Sequence, residues 1–166
     1  MFWSYARNDD QAPNRKVTKL KDAFLVALRE TTGHKDCSVF FDVESIPWGA
    51  RWRESVEQEV ARCDGFVAVI TPSFFRSRTC IYELKLALDA GKPTFPIYFR
   101  KAAELESSFK ENGADPEMNI ELNETSRRLE ERQLADFRAL RNKPTSDEAV
   151  QDFVDDLAEQ LVAFCE

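Results

Sequence analysis

No apolar run in the 166 residues approaches the roughly 18 that a membrane-crossing helix requires. Met1 leads directly into "FWSYARNDD", which lacks the basic start and the cleavage site of a signal peptide. A cytoplasmic protein without a membrane partner is the expectation. CxxC pairs are absent too. Cys37, Cys63, Cys80 and Cys165 are scattered and His34 is the sole histidine. That pattern gives no zinc site, and reduced thiols in a cytosol are the simplest reading. Basic charge is in deficit, 23 Lys and Arg against 30 Asp and Glu, net −7. This argues against a broad nucleic-acid or anionic-membrane surface.

Familiar chemical motifs are missing as well. No GxGxxG follows the first expected strand and no GxxxxGK[ST] occurs anywhere, so dinucleotide-binding Rossmann and P-loop sites are unsupported. There is no GxSxG elbow, and His34 has no obvious Ser or Cys partner. Asn8-Asp9-Asp10 would suit a phosphorylated receiver domain. In that fold, however, the acceptor aspartate follows the third strand, and Asp42 follows the second.

What is present is a globular balance, 43% apolar and 32% charged, in a chain that reads as one domain over residues 1–166 with its own core. "MFWSY" reads as a short first strand. Val17, Leu20, Phe24 and Leu28 recur at helical spacing, and Gly33 ends that helix. "SVFFD" is a buried strand ending at Asp42, and "VESIPWGAR" is a loop. Trp52, Val56, Val60 and Cys63 mark a second helix.

"GFVAVI" is a third strand and "TPSFFRSR" a loop, with Ser77 as N-cap of the next helix, which Gly91 closes. "TFPIYF" is a fourth strand, its Pro96 suggesting a place near a sheet edge. Residues 101–134 are charged helix and loop, most simply a solvated surface, with an oligomer contact as the sharper alternative. "ADFRALR" is a weak candidate for a fifth strand. A final helix over 145–165 opens on a capping-box pattern at Thr145-Ser146-Asp147-Glu148 and buries Val150, Phe153, Val154, Leu157 and Leu161. Alternation of strands and helices, with strands apolar on both faces, predicts an α/β doubly wound parallel sheet of four or five strands with helices on both faces. Trp3, Phe40, Phe41, Phe66 and Phe74 read as core.

"SRTCIYELKLAL", Ser77–Leu88, is apolar apart from a few residues, and Glu83 stands out within it. The residues three and four positions away are Thr79, Cys80, Leu86 and Ala87, so no basic side chain lies at pairing distance along the helix. In doubly wound sheets the ligand crevice lies beyond the carboxyl ends of the strands, where strand order reverses. At a rise of about 1.5 Å per residue, Glu83 stays within roughly 10 Å of the Ser77 cap and so near that crevice. The plain alternative is a solvated helix glutamate.

Several boxes in order resemble one family. "FWSYARNDD" is similar to the F-x-S-Y-x-x-x-D box of TIR domains. "VFFDVESIPWGARWRESVEQEVARCDGFVAVITPSF" resembles their second strand, BB loop, second helix and third strand. "SRTCIYELKLALDAGKPTFPIYF" resembles their S-x-x-C-x-x-E-[LI]-x-x-A segment and fourth strand. The resemblance covers residues 2–99 and fades after Phe99. It implies a flavodoxin-like fold and one of two jobs: homotypic scaffolding, or cleavage of NAD+ to nicotinamide and an ADP-ribose product, linear or cyclised.

The cleaving members carry a glutamate in the C-x-x-E context, here Cys80-Ile81-Tyr82-Glu83. They often have a tryptophan before the cysteine, where this chain has Thr79. The resemblance to the bacterial cleaving type implies an effector of antiphage defence, an innate-immune role. It would be activated as a homo-oligomer with other TIR domains and triggered through a further sensor domain or a separate sensor chain. A more distant alternative of similar fold is a nucleoside deoxyribosyltransferase.

The chemistry stands on its own argument. Glycosidic cleavage usually takes two carboxylates, because an alkoxide leaving group must be protonated. In NAD+ the nicotinamide is a cationic pyridinium and departs neutral, so one carboxylate suffices to stabilise the ribosyl cation and hold the ribose hydroxyls. Glu83 is the catalytic candidate. NAD+ is then a substrate, and neither a cofactor nor a metal is implied. Candidate substrate-binding residues are Ser4, Ala6 and Arg7 after the first strand, Asp42 and Trp48 around the BB loop, and Ser77. Arg7 suits a phosphate, Trp48 suits stacking on adenine or nicotinamide, and Asp42 suits positioning its loop.

Overall fold

The computed structural model describes residues 1–41, 51–102 and 116–165. Five parallel strands form one sheet: β1 (Phe2–Ser4), β2 (Phe40–Phe41), β3 (Phe66–Ile70), β4 (Thr94–Tyr98) and β5 (Ala135–Asp136). Their order is β2-β1-β3-β4-β5, the flavodoxin-like order, with its reversal point between β1 and β3. The register aligns Phe2 with Phe66 and Ser4 with Ala68, so Ser4 ends β1 beside the middle of β3. The expected doubly wound sheet is observed, and the weak fifth strand is real, though only two residues pair with β4. Pro96 lies in the penultimate strand, just before that pairing begins.

Strand pleat explains the two layers. Phe66, Ala68 and Ile70 point to one face with Phe2, where they meet α2 (Trp52–Arg62), α3 (Pro72–Arg76), α4 (Arg78–Asp89) and α5 (Pro116–Glu130). Val67 and Val69 point to the other face with Trp3, against α1 (Lys16–Thr32) and α6 (Glu148–Cys165). Every residue of β3 is fully buried, as expected for a central parallel strand covered on both sides. None of the described helices is long and apolar enough to cross a membrane.

The helix ends follow local chemistry. Asp10 Oδ1 accepts from the Val17 and Thr18 amides at 2.9 and 3.0 Å, satisfying orphan donors of the first turn of α1. Gly33 closes α1 at φ 69°, the left-handed conformation glycine adopts without a Cβ penalty. "TPSFFRSR" is more than a loop. Thr71 Oγ1 accepts from Phe74 N at 3.1 Å and Pro72 occupies the first turn, giving the five-residue α3. The α6 cap also differs from the capping-box expectation. Asp147, immediately before the helix, accepts from Ala149 N at 3.0 Å, and the helix begins at Glu148 rather than 145. The charged segment after Phe99 is not simply solvated, because α5 buries Leu122 and Leu129 in the same cluster as α4.

Candidate functional site

Beyond the carboxyl ends of β1 and β3 lies an open cleft of about 570 Å³, lined by the β1 end, the loop after it, and the first turns of α2, α3 and α4. Ala6, Arg7, Ser77 and Glu83 line it, and Ser4, buried behind them, is hydrogen-bonded to Glu83. Five of the seven residues singled out in sequence are thus brought together. Asp42 and Trp48 lie outside the described residues.

The pairing at its floor follows from the pleat. Ser4 is two residues after Phe2 and shares its face, which is the face α4 covers. α4 turns Cys80, Glu83, Leu84 and Ala87 inward along one stripe. Ser4 Oγ donates to Glu83 Oε2 at 2.6 Å across 79 residues of sequence. Glu83 is 5% exposed and Ser4 1%, so the bond sits at the boundary between core and cleft. A charge-assisted hydrogen bond of that length fixes the carboxylate's position.

Ser77 holds the start of α4, its Oγ accepting from Cys80 N at 3.3 Å. The Cys80 thiol borders the same cleft. Burial first, then the nearby charge of Glu83, push its pKa up to about 12, against hydrogen bonds with Ser77 and Ser4. It is a thiol rather than a thiolate at neutral pH, and so a poor nucleophile. The rim is tied together by Thr71, whose hydroxyl donates to Asp9 Oδ2 at 2.5 Å. Asp9 closes the F-x-S-Y-x-x-x-D box, and its side chain serves this strut between the β1 and β3 loops.

Sequence reading missed Trp52, Tyr5, Phe40, Ser73 and Arg76, all of which line the cleft. Phe40, expected in the core, is half-buried at the cleft wall. Trp52, expected to face inward with Val56 and Val60, is 37% exposed. It opens α2 one turn before the buried stripe and overhangs the cleft instead. Trp3, Phe66 and Phe74 are core as expected, whereas the Phe41 side chain lies outside the described set. Among the described residues no group of three or more His, Cys, Asp or Glu is placed to hold a metal ion.

The family model described as "TIR domain" matches residues 2–152. The chain belongs to the TIR domain family. A comparison with curated protein sequences finds no match. Among solved structures, the TIR domains of the activated Roq1 resistosome directly recognizing the pathogen effector XopQ superpose with a TM-score of 0.66. Identity is 15%, over 96% of this chain and 97% of that one, so the likeness speaks to the TIR fold alone.

Proposed function

We propose that this TIR domain is an NAD+ glycohydrolase with Glu83 as its catalytic residue, of the bacterial type that serves antiphage defence. The observation that carries the reading is the buried Glu83 carboxylate, pinned by Ser4 Oγ at 2.6 Å on the floor of a cleft at the strand-order reversal. In the reaction the bond from the ribose anomeric carbon to the pyridinium nitrogen breaks. Its electron pair passes to the nitrogen, and neutral nicotinamide leaves without a general acid. Glu83 stabilises the ribosyl cation and holds a ribose hydroxyl, while Ser4 keeps the carboxylate from swinging away. Water then captures the cation to give ADP-ribose and a proton. Capture by a nitrogen of the substrate's own adenine gives a cyclic isomer.

Arg7, at the cleft rim, supplies a cation for the diphosphate. Cys80, held as a thiol, takes no covalent part. Oligomerisation of TIR domains completes the cleft through the loop over residues 43–51, and a sensor domain or chain promotes it.

The test is incubation of the purified protein with NAD+ at high protein concentration, with products identified by mass spectrometry. Nicotinamide together with ADP-ribose or a cyclic isomer is the expected outcome. Intact NAD+ under conditions where the protein is assembled would leave the homotypic scaffold as the reading.

A further inference from the structure

Among the described residues, three large apolar side chains are conspicuously exposed: Val26, Trp52 and Phe164. Of these, Trp52 lies at the cleft. Its indole is not loose. The Tyr82 ring meets it edge-on, centroids 6.0 Å apart at 70°. The Arg53 guanidinium carbon lies 5.6 Å from the indole centroid and 5.5 Å from that of Tyr82. The Tyr82 hydroxyl in turn donates to Glu57. An apolar ring exposed to water costs free energy, and this one is braced in place by neighbours on both α2 and α4. A pre-braced aromatic loses little freedom when a second ring stacks on it.

Resting on the NAD+-cleaving reading above, we propose that Trp52 is the stacking platform for the pyridinium ring of the substrate, and that it selects ligands carrying a flat cationic ring on the anomeric carbon. Two observations direct the choice of ring. Trp52 and Glu83 line the same cleft, so a ligand held by the carboxylate has the indole within its pocket. The ring attached to the carbon that Glu83 faces is nicotinamide, whereas adenine lies a diphosphate away. An indole face also attracts a cation, and pyridinium is the cationic ring of NAD+. With Arg53 over one face, the ligand takes the other. When the glycosidic bond breaks, the positive charge leaves the ring and the cation–π attraction goes with it. Trp52 therefore holds substrate more tightly than the nicotinamide product.

Two experiments decide the matter. Steady-state NAD+ cleavage compares the parent with Trp52→Phe and Trp52→Ala, folding being checked by circular dichroism. Base–aromatic stacking is worth about a factor of ten or more. Trp52→Ala should therefore lose at least tenfold in kcat/KM, carried mainly by KM, and Trp52→Phe should recover most of it. The second experiment titrates nicotinamide mononucleotide, and separately adenosine monophosphate, into the Glu83→Gln chain while following tryptophan emission. Trp48 is replaced by Phe in every chain titrated, which leaves Trp52 and the 1% exposed Trp3 as the emitters. Nicotinamide mononucleotide should quench, and the quench should vanish in Trp52→Phe.

A folded Trp52→Ala within twofold of the parent overturns the proposal. So does a quench that persists in Trp52→Phe, or one given by adenosine monophosphate alone. If the parent cleaves no NAD+, the glycohydrolase reading has failed, and the emission titration alone decides the platform: quenching lost with Trp52 supports it, and no quenching overturns it.

Discussion

Glu83 and Ser4 are where the account is most exposed to test. Ser4→Ala leaves the fold intact, because the side chain shrinks by one oxygen, but it frees the carboxylate from a bond of 2.6 Å. Hydrogen bonds to charged groups are worth about 1.5–3 kcal/mol, so NAD+ turnover should fall roughly tenfold or more while Glu83 remains. Unchanged kcat in a folded Ser4→Ala would remove the serine from the machinery. Cys80 gives a second test. With its pKa raised to about 12 and 3% exposure, it should resist iodoacetamide at pH 8 in the folded protein and react after unfolding, as peptide mass mapping would report. Glu83 was legible in sequence because a carboxylate in an apolar helix is an anomaly with few explanations. Trp52 was not, because helical periodicity places it on the same stripe as Val56 and Val60. Periodicity gives direction around an axis, and it does not reveal where along that axis the core stops and the cleft begins.

The elements themselves were mostly written in local chemistry. The continuous apolar runs of β3 and β4 announced buried parallel strands. By contrast α3, at five residues, is too short for a periodic signal and was signalled only by Thr71 and Pro72 at its start. α5 was obscured because its buried Leu122 and Leu129 are sparse among charges. Asp10 should prove the strongest local device. Asp10→Ala leaves the Val17 and Thr18 amides without their acceptor and should cost about 1–2 kcal/mol, measured by urea unfolding. No loss would show that water replaces the cap.

Asp89 links α4 to α5, receiving Lys85 Nζ at 2.7 Å and Arg128 Nη1 at 2.6 Å. The hydrogen bonds from Lys85 and then Arg128 hold its carboxyl below the usual range. A depressed folded pKa gives stabilisation that is full above the unfolded value of about 3.9 and lost as pH falls through the folded value. Asp89→Asn should therefore flatten the acid side of the stability curve, modestly, since the pair is solvent-screened. A curve as steep as the parent's would assign the acid sensitivity elsewhere.

At the scale of the molecule, the doubly wound sheet sets the cleft at one end of the strands, and the proposal requires that end to be shared between copies. Turnover per molecule should rise with protein concentration, with mass in solution followed alongside. Constant turnover from dilute monomer to concentrated sample would point to a self-sufficient cleft. Nicotinamide release should also withstand excess chelator. Loss of activity restored by one divalent ion would contradict the single-carboxylate chemistry. That chemistry is tested most directly by comparing NAD+ turnover of the parent and Glu83→Gln at one concentration high enough for assembly, with circular dichroism confirming both folds. The substitution keeps the shape of the side chain and removes its charge. A fall of at least a hundredfold, on the order of 3 kcal/mol of transition-state stabilisation, is the predicted result. A folded Glu83→Gln that consumes NAD+ within a fewfold of the parent would contradict it.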